Sequence, residues 1–442
     1  MATISTDPAC RLPETVAEHC TRKSPAKALL EDSDVDRIVE CSLGSRDFRL
    51  LRWNLDRLGE TNGFLGQYFC LSVVVRVVDR TRCLKFFAKT PPPMESPQYS
   101  FMLHTDTFNK EITVYEDLFA KMGKGIGMKW QPECYLGKRN EIIVLEDVRV
   151  EGYANPDKYV PLDEEHLVLV IQALSTFHSR SVILEEKLRR SGRTIQEVYG
   201  HLLCEVLFTK KDERSRKILR SGIKGSCTAV DFAESLKEEQ KTVVKERIEK
   251  WGWALSRLLE PSSEFRNAIC HRDVWANNIM FKHDQQGTPV GCYMVDFQFI
   301  SYSPPATDLV FLLYLTTNRA TRDRNYDRFL KMYYDVMRKE LEVEGFNIEV
   351  IMPWTSFLKS CTRARQIALE YSVINLQIML LTAEVVDDYF GGDVDRLEDM
   401  LYGDERVNIV SHLCRVHPAY RRRMVEIIEE IWERLPDQPT KL

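Results

Sequence analysis

The sequence has little that would tie it to an oxidising compartment, a membrane or a nucleic acid. Its 12 cysteines are scattered from Cys10 to Cys414. They form no C-x-x-C pair and no Cys/His cluster at metal spacing, so neither a zinc site nor a disulfide framework is indicated, and free thiols in a reducing cytosol are the simplest account. The amino terminus lacks a basic segment followed by an apolar core, so no secretory signal is expected. The richest apolar stretches, Leu309 to Leu315 and Ile374 to Leu381, are too short to span a bilayer. A formal net charge of -5 leaves no basic footprint for nucleic acid, and no Lys/Arg block stands out as a membrane anchor. No internal repeat is apparent. What remains is a chain of 442 residues, 44% hydrophobic and 29% charged, with the composition of an ordinary globular protein and room for one large or two moderate cores. The expectation is a cytoplasmic protein whose partners are small molecules; the sequence says nothing of its oligomeric state.

The stretch from Asn267 to Phe281 carries the chemistry. A short apolar run leads into His271-Arg272-Asp273, an asparagine follows at Asn278, and a second apolar run begins. A further acid, Asp296, ends the apolar run Cys292 to Val295. Moving a phosphoryl group from ATP to a hydroxyl requires metal ions on the phosphates and an acceptor for the hydroxyl proton. Carboxylate and amide oxygens suit magnesium, a hard cation. Asp273 is therefore the candidate base and Asn278 and Asp296 the candidate magnesium ligands, in the pattern H-R-D-x-x-x-x-N followed by a D-F-G-like strand end. A turn in which Asp and Asn only satisfy backbone groups is the plain alternative.

Upstream, residues 1–41 read as a lead-in, 42–148 as a small nucleotide-binding lobe and 149–442 as a helical large lobe. The small lobe begins as an antiparallel meander, with strands near Arg52 to Leu55, Tyr68 to Val78 and Cys83 to Lys89. The turn holding Asn62, Gly63 and Gly66 would let backbone amides approach a phosphate, although it lacks G-x-G-x-x-G spacing and can be read as an ordinary hairpin. Phe108, Ile112, Tyr115 and Phe119 recur at helical spacing with Glu111 inside their stripe. A carboxylate there is costly without a cation, and Lys89 at the end of its strand is the natural partner, unless Glu111 reaches water at the edge of the stripe. Glu146, Asp147 and Val148 close an apolar strand where an adenine-binding crossover would lie; an edge strand ending in solvated acids reads equally well.

Asp163 to Arg180 reads as a helix capped by Asp163, with His178 completing its packing. The charged block from Ser181 to Phe265 reads as solvated helices and a place for a wall of a substrate pocket. Thr307 or Asp308 can cap the helix after Pro305, and Asp308 could also brace the catalytic loop through backbone amides. Amphipathic helices follow to Arg434, broken near Pro353, Gly391, Gly403 and Pro418.

At these residues the sequence resembles the CHK kinase-like, or ecdysteroid kinase-like, family, related to choline kinases and aminoglycoside phosphotransferases. The resemblance is carried by Phe87 to Thr90, Phe108 to Tyr115, Val144 to Asp147, Leu174 to His178, Cys270 to Phe281 and Val295 to Gln298 with Pro305 to Leu309. It implies an α+β, two-lobed protein-kinase-like fold, with an antiparallel-sheet small lobe and a mainly helical large lobe. It also implies ATP and Mg2+ as cofactors and a small hydroxylated acceptor, an ecdysteroid or a foreign alcohol. By position Asp273 matches the base, Asn278 and Asp296 the metal ligands, Lys89 the phosphate lysine and Glu111 its partner. Arg272 stands where glycine is common in this family. The irregular glycine turn leaves a second reading, a kinase-like protein without activity that binds nucleotide or a hydrophobic ligand.

Overall fold

The computed structural model describes residues 29–59, 66–209, 212–390 and 394–439. The chain divides into two compact units, one ending at Ala120 and resuming over Gln131–Ala154, the other formed by Lys121–Trp130 and by Asn155 onwards.

The first unit is an antiparallel sheet with helices. β1 (Arg49–Arg57), β2 (Gln67–Val77), β3 (Arg80–Thr90), β4 (Cys134–Lys138) and β5 (Ile142–Glu146) pair in the order β1-β2-β3-β5-β4. Period-two alternation explains their faces. Phe69, Leu71, Val73 and Val75 of β2 and Leu84, Phe86 and Ala88 of β3 are buried in one cluster with Val35, Ile38 and Val39 of α1 (Asp32–Leu43). α1 opens with a capping box between Glu31 and Asp34 and stops at Gly44, whose φ of 65° suits glycine. The lead-in expected over 1–41 is thus corrected: from Asp32 the chain belongs to the sheet unit, because Val35, Ile38 and Val39 recur at i, i+3, i+4 and need a core. The second segment of the sheet unit ends at Ala154.

After α2 (Pro97–Thr105), α3 (Thr107–Thr113) runs on through a π-helical turn, Val114–Leu118, into α4 (Phe119–Met122). On the edge strand β4, Gly137 N donates to Glu116 Oε1 at 3.1 Å. A Cβ on Gly137 would meet Ile112 Cγ2 at 2.6 Å and Glu116 Oε1 at 2.8 Å, so glycine permits that approach. A two-residue strand, β6 (Tyr153–Ala154), ends the unit.

The second unit is mainly helical. α5 (Glu164–Arg190) is capped as expected, with His166 N donating to Asp163 Oδ1 at 3.0 Å, but extends ten residues beyond Arg180. By length and composition α5 could cross a membrane, yet 83% of its apolar stretch is buried inside the protein, as in a core helix. α6 (Ile195–Tyr199), α7 (Glu213–Val230) and α8 (Glu238–Leu258) follow. β7 (Ala268–Cys270) pairs with β10 (Ser301–Ser303), and β8 (Ile279–His283) forms a hairpin with β9 (Pro289–Met294). α9 (Pro305–Thr316), α10 (Arg319–Val343), α11 (Ile348–Ile351), α12 (Trp354–Met379), α13 (Ala383–Phe390), α14 (Val394–Tyr402), α15 (Glu405–Val416) and α16 (Pro418–Arg434) complete it.

Glycines let α7 approach α12 closely: a Cβ on Gly222 would meet Ile374 Cγ2 at 2.7 Å, and one on Gly225 would meet Gln377 Oε1 at 2.2 Å. In the same layer Glu370 of α12 is fully buried and neither carboxylate oxygen has a hydrogen-bond partner. Burial pushes its carboxyl well above the usual range. The folded protein therefore holds a proton that the unfolded chain releases above about pH 4.3, and stability falls as pH rises from there toward the folded value, by up to about 1.4 kcal/mol per pH unit. Glu370→Met is expected to stabilise the protein by about 1–3 kcal/mol, more at pH 8 than at pH 5. Urea midpoints at the two values check this.

Candidate active site

In the sheet unit, Lys89 lies at the end of β3, in register with Tyr68 of β2 and Ile143 of β5. Alternation turns it, with Phe87 and Lys85, away from the face that packs on α1. Its Nζ meets Glu111 Oε2 of α3 at 2.7 Å, the side chains only 5% and 2% exposed. Glu111 sits in the stripe with Phe108, Ile112 and Tyr115, all buried. The solvated reading of Glu111 is therefore excluded. A double-mutant cycle of Lys89→Met and Glu111→Leu, followed by chemical denaturation, is expected to give a coupling of about 1–3 kcal/mol.

Gly66 packs against the same lysine; a Cβ there would meet Thr90 O at 3.0 Å and Lys89 Cγ at 3.3 Å. Asn62 and Gly63 lie outside the described residues. At the strand end Glu146 Oε2 accepts from Glu133 N at 3.1 Å. Asp147 caps the short turn Val148–Glu151 and pairs with Arg149 Nε at 2.7 Å, while Val148 is buried. The side chains of Glu146 and Asp147 are thus engaged in local structure instead of being solvated.

In the helical unit, two fully buried strand pieces, Ala268–Cys270 and Ile279–Phe281, hold the loop between them. Asn278, in the turn before β8, donates through Nδ2 to Asp273 O at 2.9 Å and to Asp273 Oδ2 at 2.7 Å. This leaves the Asn278 side-chain oxygen, Oδ1, as the atom it can offer to a cation. Val295 N donates to Asn278 O at 3.0 Å, and His271 Nε2 donates to Val295 O at 3.1 Å, so the strand end bearing Asp296 is tied to the loop bearing Asp273. Asn155 Nδ2 donates to Asn277 O at 2.7 Å and to Ile279 O at 2.9 Å, pinning the turn from behind. Nothing in the sequence around Asn155 signals that role.

Asp273 is half-buried, and its carboxyl is pushed up to about 7 by burial and then by the Asp296 charge, against hydrogen bonds from Asn278 and Trp275. Asp296 lies close enough for its charge to oppose the ionisation of Asp273, and with the amide oxygen beside them the two acids form a hard-oxygen donor set that suits a magnesium ion. The residues present fit that cation. Of the five non-glycine residues with positive φ among the described residues, two lie here, Arg272 beside Asp273 at 72° and Asp296 itself at 66°. Such conformations persist where the surroundings over-determine them.

The surroundings here are built on Asp308. The helix after Pro304 starts at Pro305, and no side-chain cap is made there, so the capping role is corrected. Asp308 is fully buried; Oδ2 accepts from His271 N, Oδ1 accepts from Arg272 N at 3.0 Å, and His178 Nε2 lies 3.2 Å from Oδ2. Burial alone would raise its carboxyl, but His178 and the nearby His271 and Arg272 hold it below the usual range. His178 Nδ1 in turn meets Tyr333 Oη at 2.7 Å. His178, Cys270 and Asp308 bring ligand atoms within 4.8 Å of one another. Each is already engaged, Cys270 Sγ with Ser303 O at 3.4 Å, so the cluster is a brace and needs no metal.

A profile of the ecdysteroid kinase-like family matches residues 61–346. An uncharacterized kinase-like protein of Caenorhabditis elegans is 20% identical over 245 residues, 54% of this chain and 58% of the relative, so the match spans little more than half of that protein. Among solved structures, the microcompartment-associated aminopropanol kinase is 12% identical, with 91% of this chain and 98% of that one covered at a TM-score of 0.40. A choline/ethanolamine kinase family protein from Mesorhizobium loti is 14% identical, with 85% and 92% covered at a TM-score of 0.34. The matched profile takes in Lys89, Glu111, Asp273, Asn278 and Asp296, and on it the chain belongs to the ecdysteroid kinase-like family.

Proposed function

We propose that the protein is an ATP- and Mg2+-dependent phosphotransferase acting on a hydroxyl of a small molecule, an ecdysteroid or a xenobiotic alcohol. The observation that carries this reading is the grouping of Asp273, Asn278 and Asp296, a carboxylate held by an amide with a second carboxylate close by, on a loop tied strand to strand.

In this reading Asp273 accepts the hydroxyl proton as the acceptor oxygen bonds to phosphorus and the bond to ADP breaks. Asn278 fixes the Asp273 carboxylate through its amide and, with Asp296, offers oxygen ligands. Magnesium, when bound there, neutralises charge on the transferring phosphate. In the sheet unit Lys89, held by Glu111, contacts the nucleotide phosphates, with Gly66 close beside it. Glu146 to Val148 supply backbone groups to the adenine edge. The partner is a small hydroxylated molecule, with no nucleic acid and no membrane.

The test is incubation of the purified protein with ATP, magnesium and a panel of steroid and phenolic alcohols, with phosphate esters read by mass spectrometry. Esters are expected with at least one alcohol and none after chelation of magnesium. ATP binding without ATP consumption across the panel would instead support a carrier without activity.

A further inference from the structure

Arg272 is a costly residue for its position. At φ 72° a side chain costs about 1–2 kcal/mol that glycine does not, and burying a guanidinium against a carboxylate is on balance a weak source of stability. What the arginine supplies and glycine cannot is a link. Its Nη2 meets Glu205 Oε2 at 2.8 Å, with the side chains 4% and 15% exposed. Glu205 Oε1 accepts from Leu207 N at 2.9 Å and from Phe208 N at 3.1 Å, so one carboxylate folds the segment between α6 and α7 and joins it to the residue beside Asp273.

The link is held on both sides. The guanidinium lies 5.4 Å from the ring of Phe311 and 5.5 Å from that of Tyr371, and those rings stack at 4.1 Å. Tyr371 Oη donates to Arg272 O at 2.9 Å, and Phe208 meets Tyr371 edge-on at 6.0 Å. Tyr302 N of β10 donates to Leu203 O at 3.2 Å. Arg272 Nε and Nη1 have no hydrogen-bond partner, so the ion pair with Glu205 is the polar contact that orients the guanidinium.

We propose that Arg272 and Glu205 are positioning residues that fasten residues 200–208 beside Asp273 and make that segment the acceptor-side wall of the site. This rests on the phosphotransferase reading, and its test separates the two. Arg272→Gly removes the link while suiting the backbone, because glycine adopts φ 72° without strain. Glu205→Gln keeps an acceptor for Leu207 N and Phe208 N but removes the charge. In both variants hydrogen exchange at Leu207 and Phe208 is expected to accelerate by about tenfold or more. KM for the acceptor is expected to rise about tenfold, with KM for ATP unchanged. Arg272→Lys, which keeps a cation, is expected to restore part of the exchange protection and of the acceptor KM.

Unchanged exchange at 200–208 in Arg272→Gly overturns the fastening. Faster exchange with an unchanged acceptor KM overturns the wall. If no alcohol is phosphorylated by the parent protein, the wall falls with the phosphotransferase reading, and exchange alone decides the fastening. Should Arg272→Gly fail to fold, Glu205→Gln carries the same measurements.

Discussion

Asp273→Asn is expected to lower turnover by about 10²- to 10⁴-fold, the range for loss of a positioned proton acceptor, while leaving the metal-free protein at least as stable as the parent. The second half separates loss of chemistry from loss of fold. In the parent, the Asp273 carboxyl is pushed up to about 7 from its ordinary 3.8 by burial and by Asp296. A raised acid binds its proton more tightly folded than unfolded, so it lowers stability increasingly as pH climbs from 3.8 toward 7, and levels off above. Asparagine has the same shape, can still accept from Asn278 and carries no proton to lose. In chelator, the variant is therefore expected to melt higher than the parent at pH 8, with a smaller difference at pH 5. Full turnover in the variant would sink the assignment of the base. A lower melting temperature at both pH values would mean that the loop itself had been disrupted.

Asp308→Ala is expected to destabilise the helical unit by about 3–5 kcal/mol, the cost of removing one member of a buried charged network, and to lower turnover through the loop. The substitution leaves His271 N and Arg272 N without their acceptor and His178 without its carboxylate. Asp308 also has a pH signature opposite to that of Asp273. Its folded value is depressed below 3.8, so its contribution is complete above the unfolded value and is lost as pH falls through the folded one. The parent should therefore lose stability in acid more steeply than Asp308→Ala. Denaturant midpoints at pH 6, 4 and 3 measure both effects, and a variant with parental midpoints would show that the brace is dispensable.

What could be read from the sequence was what lies close along it. Asp273 and Asn278 are neighbours in one loop, and Asp296 ends the next hairpin, so local spacing was enough. Lys89 and Glu111 were legible because an acid inside an apolar stripe demands a cation and the strand before it ends in one. Asp308 was only half legible. A helix start explains an acid there without reference to His271, and burial alone distinguishes a brace from a cap. Arg272 and Glu205 are 67 residues apart, and Asn155 lies 122 residues from Asn277. Such pairs are made by tertiary packing, which periodicity does not encode. α1 went unseen because its short stripe of Val35, Ile38 and Val39 follows a polar stretch and becomes meaningful only against the sheet it covers.

The contact between Gly137 and Glu116 bears on how this protein behaves when crowded. β4 and β1 are the two outer strands of the sheet, and an outer strand with bare amides is a template for another chain. On β4 the Gly137 amide is taken by the Glu116 carboxylate, and Lys138 reaches back to Asp34 at 2.6 Å. On β1 the exposed positions include Arg49, Arg52, Asp56 and Arg57. One border thus has an amide taken by a side chain from the protein's own helical segment and the other carries charge, both of which disfavour strand addition. A side chain at residue 137 would do more than crowd Ile112: by displacing Glu116 it would reopen an amide on that border to foreign strands.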